Sequence, residues 1–197
     1  GQGVWGPRDD LANGLGLPKE AVRVTIPDVG GGFGMKAFMH PEYLVVAHAA
    51  RALNRPVRWI GERTEAMLSD NAGRDLVTEA EFAFDADLKI TGYRLNLLSN
   101  LGAYCSTFAQ AIQSQLFSRV LTGVYDIQAA HFMARGIYTN TTQVDAYRGA
   151  GRPEAITVIE RLIDKAARDL GVSPWELRAR NFIQSFPYKT VAGETYD

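Results

Sequence analysis

The stretch LVTEAEFAFDADLKITGYRLNLL, running from Leu76 to Leu98, decides the architecture. Ala80, Phe82 and Phe84 alternate with Glu79 and Glu81, the period-two pattern of a strand with one wet face. Asp85-Ala86-Asp87 supplies turn chemistry, and Ile90 to Leu98 returns as a second strand, so the segment reads as an antiparallel hairpin. Downstream, His131 to Tyr138 gives another strand. In Pro153 to Leu170 the period changes: Ile156, Ile159, Ile163, Ala166 and Leu170 fall at spacings of three and four, and Gly171 stands where a helix cap belongs. Ser173-Pro174-Trp175-Glu176 reads as a capping box for a further helix to about Phe182. Strands in hairpins with helices between the groups indicate an α+β fold of antiparallel or mixed sheets with packed helices.

Upstream, residues 8–17 predict a short helix ending at Gly14 or Gly16, and Ala21 to Ile26 alternates as a strand. His40 and Pro41 open an alanine-rich helix to Leu53, closed by Asn54-Arg55-Pro56. Its small side chains predict close packing on both faces. Val57 to Ile60 reads as a short strand, Arg63 and Glu65 as a surface turn, Trp59 and Trp175 as core anchors, and His48 as a buried or half-buried histidine. Sub-lobes at about 1–70 and 71–197 are the expected division.

The 197 residues are 46% apolar and 22% charged, enough for one full-sized domain or two small ones, and the formal net charge is −1. No global basic field is present to draw nucleic acid. The single cysteine, Cys105, excludes an internal disulfide framework and a cysteine-rich metal site, which fits a reducing, cytoplasmic setting. No apolar run reaches the ~20 residues of a membrane span. His40, His48 and His131 lack metal-ligand spacing, and Asp85 and Asp87 lack the rest of a calcium loop. The chain starts Gly1-Gln2-Gly3 and stops in the polar Gly193-Glu194-Thr195-Tyr196-Asp197, which reads as a piece of a longer polypeptide.

Two stretches carry chemistry. The first is PDVGGGFGMK, Pro27 to Lys36, with four glycines in five positions. It fails the Walker pattern, because Met35 precedes Lys36 and Ala37 follows it. It also fails the dinucleotide fingerprint, whose third glycine falls on Met35. Glycine still permits positive φ and close approach of a ligand or another segment to the backbone N–H groups, so a ligand loop and a tightly packed turn both remain open. The second is TNTTQVDAYRGAGRPEA, Thr139 to Ala155, which delivers Arg148 and Arg152 among small residues to a helix start. Arginine forks and a helix N-terminus both bind oxyanions; the alternative is a surface pair satisfied by Glu154 or Asp145.

The paired GGGFGMK and AYRGAGRPEA, with TNTT before the second and RNFI after it, resemble the molybdopterin-binding large subunit of the xanthine oxidase family of molybdenum hydroxylases. Within that family the chain looks most like the large chains of the aerobic carbon monoxide dehydrogenase type. The resemblance implies a molybdenum-molybdopterin cofactor, in the cytosine dinucleotide form. It also implies iron–sulfur clusters and FAD on other subunits or domains, so that the rest of the large subunit, iron–sulfur and flavin subunits and a small substrate are the partners. It places Gly31, Gly32, Phe33 and Gly34 against the cofactor, with Arg148, Gly149 and Arg152. Gln2, Phe33 and Arg148 stand near molybdenum. Ala37 and Ala150 occupy positions that touch substrate in relatives. Purine-oxidising members carry glutamate and phenylalanine there, so purines fit poorly. Copper-containing carbon monoxide dehydrogenases carry cysteine where Gly149 stands.

No catalytic residue is assigned, since the family's base lies near the end of the full subunit and Glu194 lacks its context. The expectation is a segment of an enzyme that oxidises carbon monoxide, an aldehyde or an N-heterocycle, inactive by itself. The alternatives are a non-catalytic, partner-docking subunit and a nucleotide-binding enzyme with an unusual glycine loop.

Overall fold

In the computed structural model, which describes residues 1–197, one unit comprises Gly1–Asn71 and Ala146–Arg148 and a second comprises Ala72–Asp145 and Gly149–Asp197. The first is built on helices α1 (Trp5–Leu15), α2 (Pro41–Leu53) and α3 (Arg63–Ser69). Helix α1 ends at Gly16 in the left-handed region. Helix α2 begins with proline in its first turn and closes on Asn54, also left-handed, where a short polar side chain tolerates positive φ. Gly14 lets the two helices approach, because a Cβ there would stand 2.8 Å from Leu44 Cδ1.

Several local expectations fail in this unit. Residues 22–29 have no strand partner although Val22 is extended, and residues 57–60 form no strand. Alternation gives an extended backbone, but a ladder requires a neighbour. Arg63 and Glu65 lie in a helix, not a turn, and Glu62 and Glu65 form a reciprocal capping box. Helix α2 buries no residue fully, so its small side chains do not signal packing on both faces; His48 is exposed, and Trp59 is 40% exposed.

The second unit centres on strands β1 (Leu76–Phe84), β2 (Ile90–Gly102) and β3 (Ala130–Tyr138) in the order β1-β2-β3. The β1–β2 hairpin is antiparallel, in one register from Leu76 opposite Ser99 to Ala83 opposite Gly92, with a shift that sets Phe84 opposite Ile90. Strand β3 runs parallel to β2, with Tyr93 opposite Ala130, so the sheet is mixed. The crossover carries the short helix α4 (Ala109–Ala111), which continues as a π-turn over Ile112–Leu116. Helices α5 (Arg152–Leu170) and α6 (Pro174–Asn181) follow, then a two-residue hairpin of β4 (Tyr188–Lys189) and β5 (Thr195–Tyr196).

Leu95 and Leu97 of β2 join Phe117, Ile127, Leu177 and the buried stripe of α5 in one core. That stripe is Ala155, Ile159, Ile163 and Ala167; Ile156 and Leu170, at the margins of the apolar face, are 40% and 41% exposed. Each fully buried leucine or isoleucine contributes about 1.5–3 kcal/mol relative to exposure. Asn181, from the RNFI segment, ties α6 to the hairpin. Its Nδ2 donates to Leu88 O and Leu177 O at 2.9 Å, and its Oδ1 accepts from Ile90 N at 2.8 Å. Ser173 makes no side-chain cap, and Trp175, 69% exposed, meets Phe182 edge-on instead of anchoring the core. No helix is long and apolar enough to cross a membrane.

Candidate functional site

In the first unit the glycine loop is clamped at three points. Gln2 N donates to Lys36 O at 2.9 Å, and Gly34 N donates to Gln2 Oε1 at 2.8 Å. Arg148 N donates to Phe33 O at 2.8 Å. Residues 2, 33–36 and 148, far apart in sequence, are thus tied together by backbone hydrogen bonds and the Gln2 side chain. Ala37 joins it through its N–H to Gly34 O at 3.0 Å, and His40 Nε2 lies 3.1 Å from Met35 O.

Two of the loop glycines, Gly32 and Gly34, stand where a side chain meets a close neighbour. A Cβ on Gly34, whose φ is +98°, would lie 2.7 Å from Ala146 O; one on Gly32 would lie 2.3 Å from Gln2 Oε1. Gly30, by contrast, has open space around it. Phe33 itself has φ 54°, a conformation that costs a non-glycine residue on the order of 1–3 kcal/mol. Held this way, Phe33 is 54% exposed, and the edge of its ring lies over Gly31, where a Cβ would stand 2.7 Å from Cε2.

The loop and Arg148 line one cavity of about 560 Å³. Lys36, Asp70 and Tyr147 line it too, and none of these three was assigned from the sequence. Lys36 sat inside the glycine motif and Tyr147 beside Arg148, so adjacency was the available signal; for Asp70 there was none. Two cations against one carboxylate leave the wall net positive, which suits an anionic group. A second cavity of about 250 Å³ shares Gly1, Lys36 and Asp70 with the first and contains Tyr43 and Trp59. The Tyr43 phenol is pushed above its ordinary range by burial, and then by the charges of Glu42 and Asp70.

Gly149, Ala150 and Arg152 belong to the second unit. Gly151 caps α5 with φ 88°, and Arg152 Nη1 folds back toward Ala150 O at 3.2 Å. Neither suggested carboxylate takes Arg152: Glu154 lies 3.7 Å from Arg74 Nε, and Asp145 accepts from Ser106 Oγ and from Phe108 N at 3.1 Å. No cluster of His, Cys, Asp or Glu has the form of a metal site.

The sequence profile of the molybdopterin cofactor-binding domain matches residues 1–182. The chain is 37% identical to the carbon monoxide dehydrogenase large chain of Hydrogenophaga pseudoflava, over 92% of this chain and 23% of that protein. It is 35% identical to the nicotine 6-hydroxylase large subunit of Paenarthrobacter nicotinovorans, over 93% of this chain and 23% of that one. Among solved structures, quinoline 2-oxidoreductase from Pseudomonas putida 86 superposes with a TM-score of 0.90 at 37% identity, covering 96% of this chain and 25% of its own. The chain spans about a quarter of the length of these relatives. A profile match over nearly the whole chain, together with an α+β fold shared at this similarity, places the protein in the molybdopterin cofactor-binding domain family.

Proposed function

We propose that the chain forms one wall of the molybdenum-molybdopterin site in the large subunit of a molybdenum hydroxylase, and that it turns over no substrate by itself. The observation that carries this reading is the single cavity lined by Gly31, Gly32, Phe33 and Arg148. The residues fit such a group. A strained, glycine-rich backbone held by Gln2 and by the Arg148 N–H offers a flat approach that side chains would block, and the wall carries net positive charge for phosphate. When bound, the cofactor would supply two-electron oxidation with hydroxylation of a small substrate. The chain's own residues bind and orient: the loop backbone sets the depth of approach, Gln2 fixes the loop, and Arg148 and Lys36 bring charge.

An aldehyde or N-heterocyclic substrate is better supported than carbon monoxide, because Gly149 offers no thiol to a copper ion. Named relatives act on nicotine and quinoline, which accords with this choice. Cytosine dinucleotide, iron–sulfur and flavin groups belong to the same reading as partners in a cytoplasmic complex. The test is metal and pterin analysis of the intact subunit produced in a host that makes the cofactor. About one molybdenum and one pterin per chain is expected; a folded subunit carrying neither contradicts the reading.

A further inference from the structure

Gly149, Ala150 and Gly151, which follow Arg148 directly in the chain, have φ values of 94°, 34° and 88°. Three successive residues in the left-handed region, one of them alanine, persist only where their surroundings hold them. The hold comes from the π-turn of the same unit. A Cβ on Gly151 would stand 2.4 Å from Ile112 O and 2.9 Å from Phe117 N, so the 149–151 turn lies directly against that backbone. The wider winding of a π-turn also changes which side chains face inward, and the consecutive residues Ile112 and Gln113 are both buried. From there Gln113 Nε2 donates to Glu154 Oε1, in the first turn of α5, at 3.2 Å. Arg74 Nε lies 3.7 Å from the same oxygen.

This pair is badly built for stability. Gln113 is 4% exposed and Glu154 7%, and their other oxygens, Gln113 Oε1 and Glu154 Oε2, are buried without a hydrogen-bond partner. Each unmet acceptor costs free energy that two apolar side chains of the same size would not. What the pair supplies is direction, since a hydrogen bond between the π-turn and α5 restricts their orientation more than apolar packing does. We propose that Gln113 and Glu154 are positioning residues, which lock the Gly149–Gly151 turn where the chain leaves Arg148. The proposal deepens the cofactor reading and rests on it, because resemblance places Gly149 and Arg152 beside the cofactor. Arg152 moves with the turn through its bond from Nη1 to Ala150 O. A turn free to sample several orientations is competent for only part of the time, and cofactor retention falls by that fraction.

The test compares the intact subunit, produced in a host that makes the cofactor, with two variants. Gln113→Leu with Glu154→Leu removes both buried acceptors together; Glu154→Gln keeps the acceptor for Gln113 Nε2 and adds a donor for Gln113 Oε1. Three quantities are read: the urea midpoint, hydrogen exchange at the amides of Gly151 and Arg152, and molybdenum per chain. The leucine pair is expected to keep or raise the midpoint while exchange in the turn quickens about tenfold or more and molybdenum falls severalfold. Glu154→Gln is expected to stay within about twofold of the unaltered subunit in exchange and in metal. Unchanged exchange in the folded leucine pair overturns the proposal, as does full molybdenum despite faster exchange, or a Glu154→Gln subunit that behaves like the leucine pair. A lowered midpoint overturns it too, by making the pair a stabilising one. Should the leucines fail to fold, methionines, unbranched like glutamine, take their place; failure of both pairs counts as a lowered midpoint. An unaltered subunit that takes up no molybdenum contradicts the cofactor reading instead, and the exchange comparison still decides whether the pair holds the turn.

Discussion

Gly34 shows how much a single position decides. With φ at +98° and Ala146 O at 2.7 Å from where a Cβ would be, alanine there must strain its backbone and push the loop off the Ala146–Arg148 segment. The Gly34→Ala substitution should cost on the order of 1–3 kcal/mol, measured by denaturant unfolding. Gly30→Ala should cost far less, because nothing lies within 4 Å of a Cβ at Gly30. The sequence showed four glycines without ranking them. Ranking requires knowing which carbonyl or side chain lies opposite, and those partners come from residues 2 and 146. Arg148 stood out as a candidate from its setting among small residues, and it lines the cavity with the glycine loop, whereas its anchoring by its own N–H to Phe33 O was not legible. Asp70 carried no local signal at all, and only folding brings it to the cavity.

At the level of elements, the hairpin and the long helix were readable because their periods report burial directly. β1 starts and ends where its alternation does, and α5 ends at its glycine. Ala21–Ile26 and Val57–Ile60 misled because an alternating stretch says nothing about a partner strand. The parallel placement of β3 beside β2 was likewise hidden, since the crossover runs through a π-turn with no clear period. Ile159 on α5 is fully buried, and Ile159→Ala should destabilise the second unit by about 2–5 kcal/mol, read from the shift in urea midpoint; a loss under 1 kcal/mol contradicts the core described above.

The same unit predicts a pH response. The Tyr188 phenol is pushed up to about 12 by burial first and then by its hydrogen bond to Asp126 at 2.8 Å. Burial also raises Tyr93, and burial followed by Glu160 raises Tyr125. Because the folded values lie above the ordinary value near 10, the stability these phenols contribute is complete below that value; the Tyr188 share is lost as pH rises through about 12, and the Tyr93 and Tyr125 shares at still higher pH. Phenolate absorbance should therefore appear in two stages, with the late stage coinciding with unfolding. A single stage near the ordinary tyrosine range in the folded protein contradicts these environments.

For the molecule as a whole, family membership was legible because two long motifs more than a hundred residues apart had to agree. The architecture of each unit follows from its own contacts. A chain covering about a quarter of its relatives and offering no assigned base is expected to show no dye-linked oxidation of aldehydes, purines or carbon monoxide. Turnover by the chain alone, lost on Arg148→Ala, would reverse that expectation. The central claim is that the Gly31–Gly34 loop, clamped by Gln2 and Arg148, is the surface against which the cofactor rests. It is tested most directly by molybdenum content per chain in the intact subunit, compared between Gly6→Ala, at a position in α1 with nothing within 4 Å of an added Cβ and no part in the cavity, and Gly34→Ala after both are shown to be folded. The account predicts full molybdenum in the first and a severalfold loss in the second; equal retention in both would contradict it.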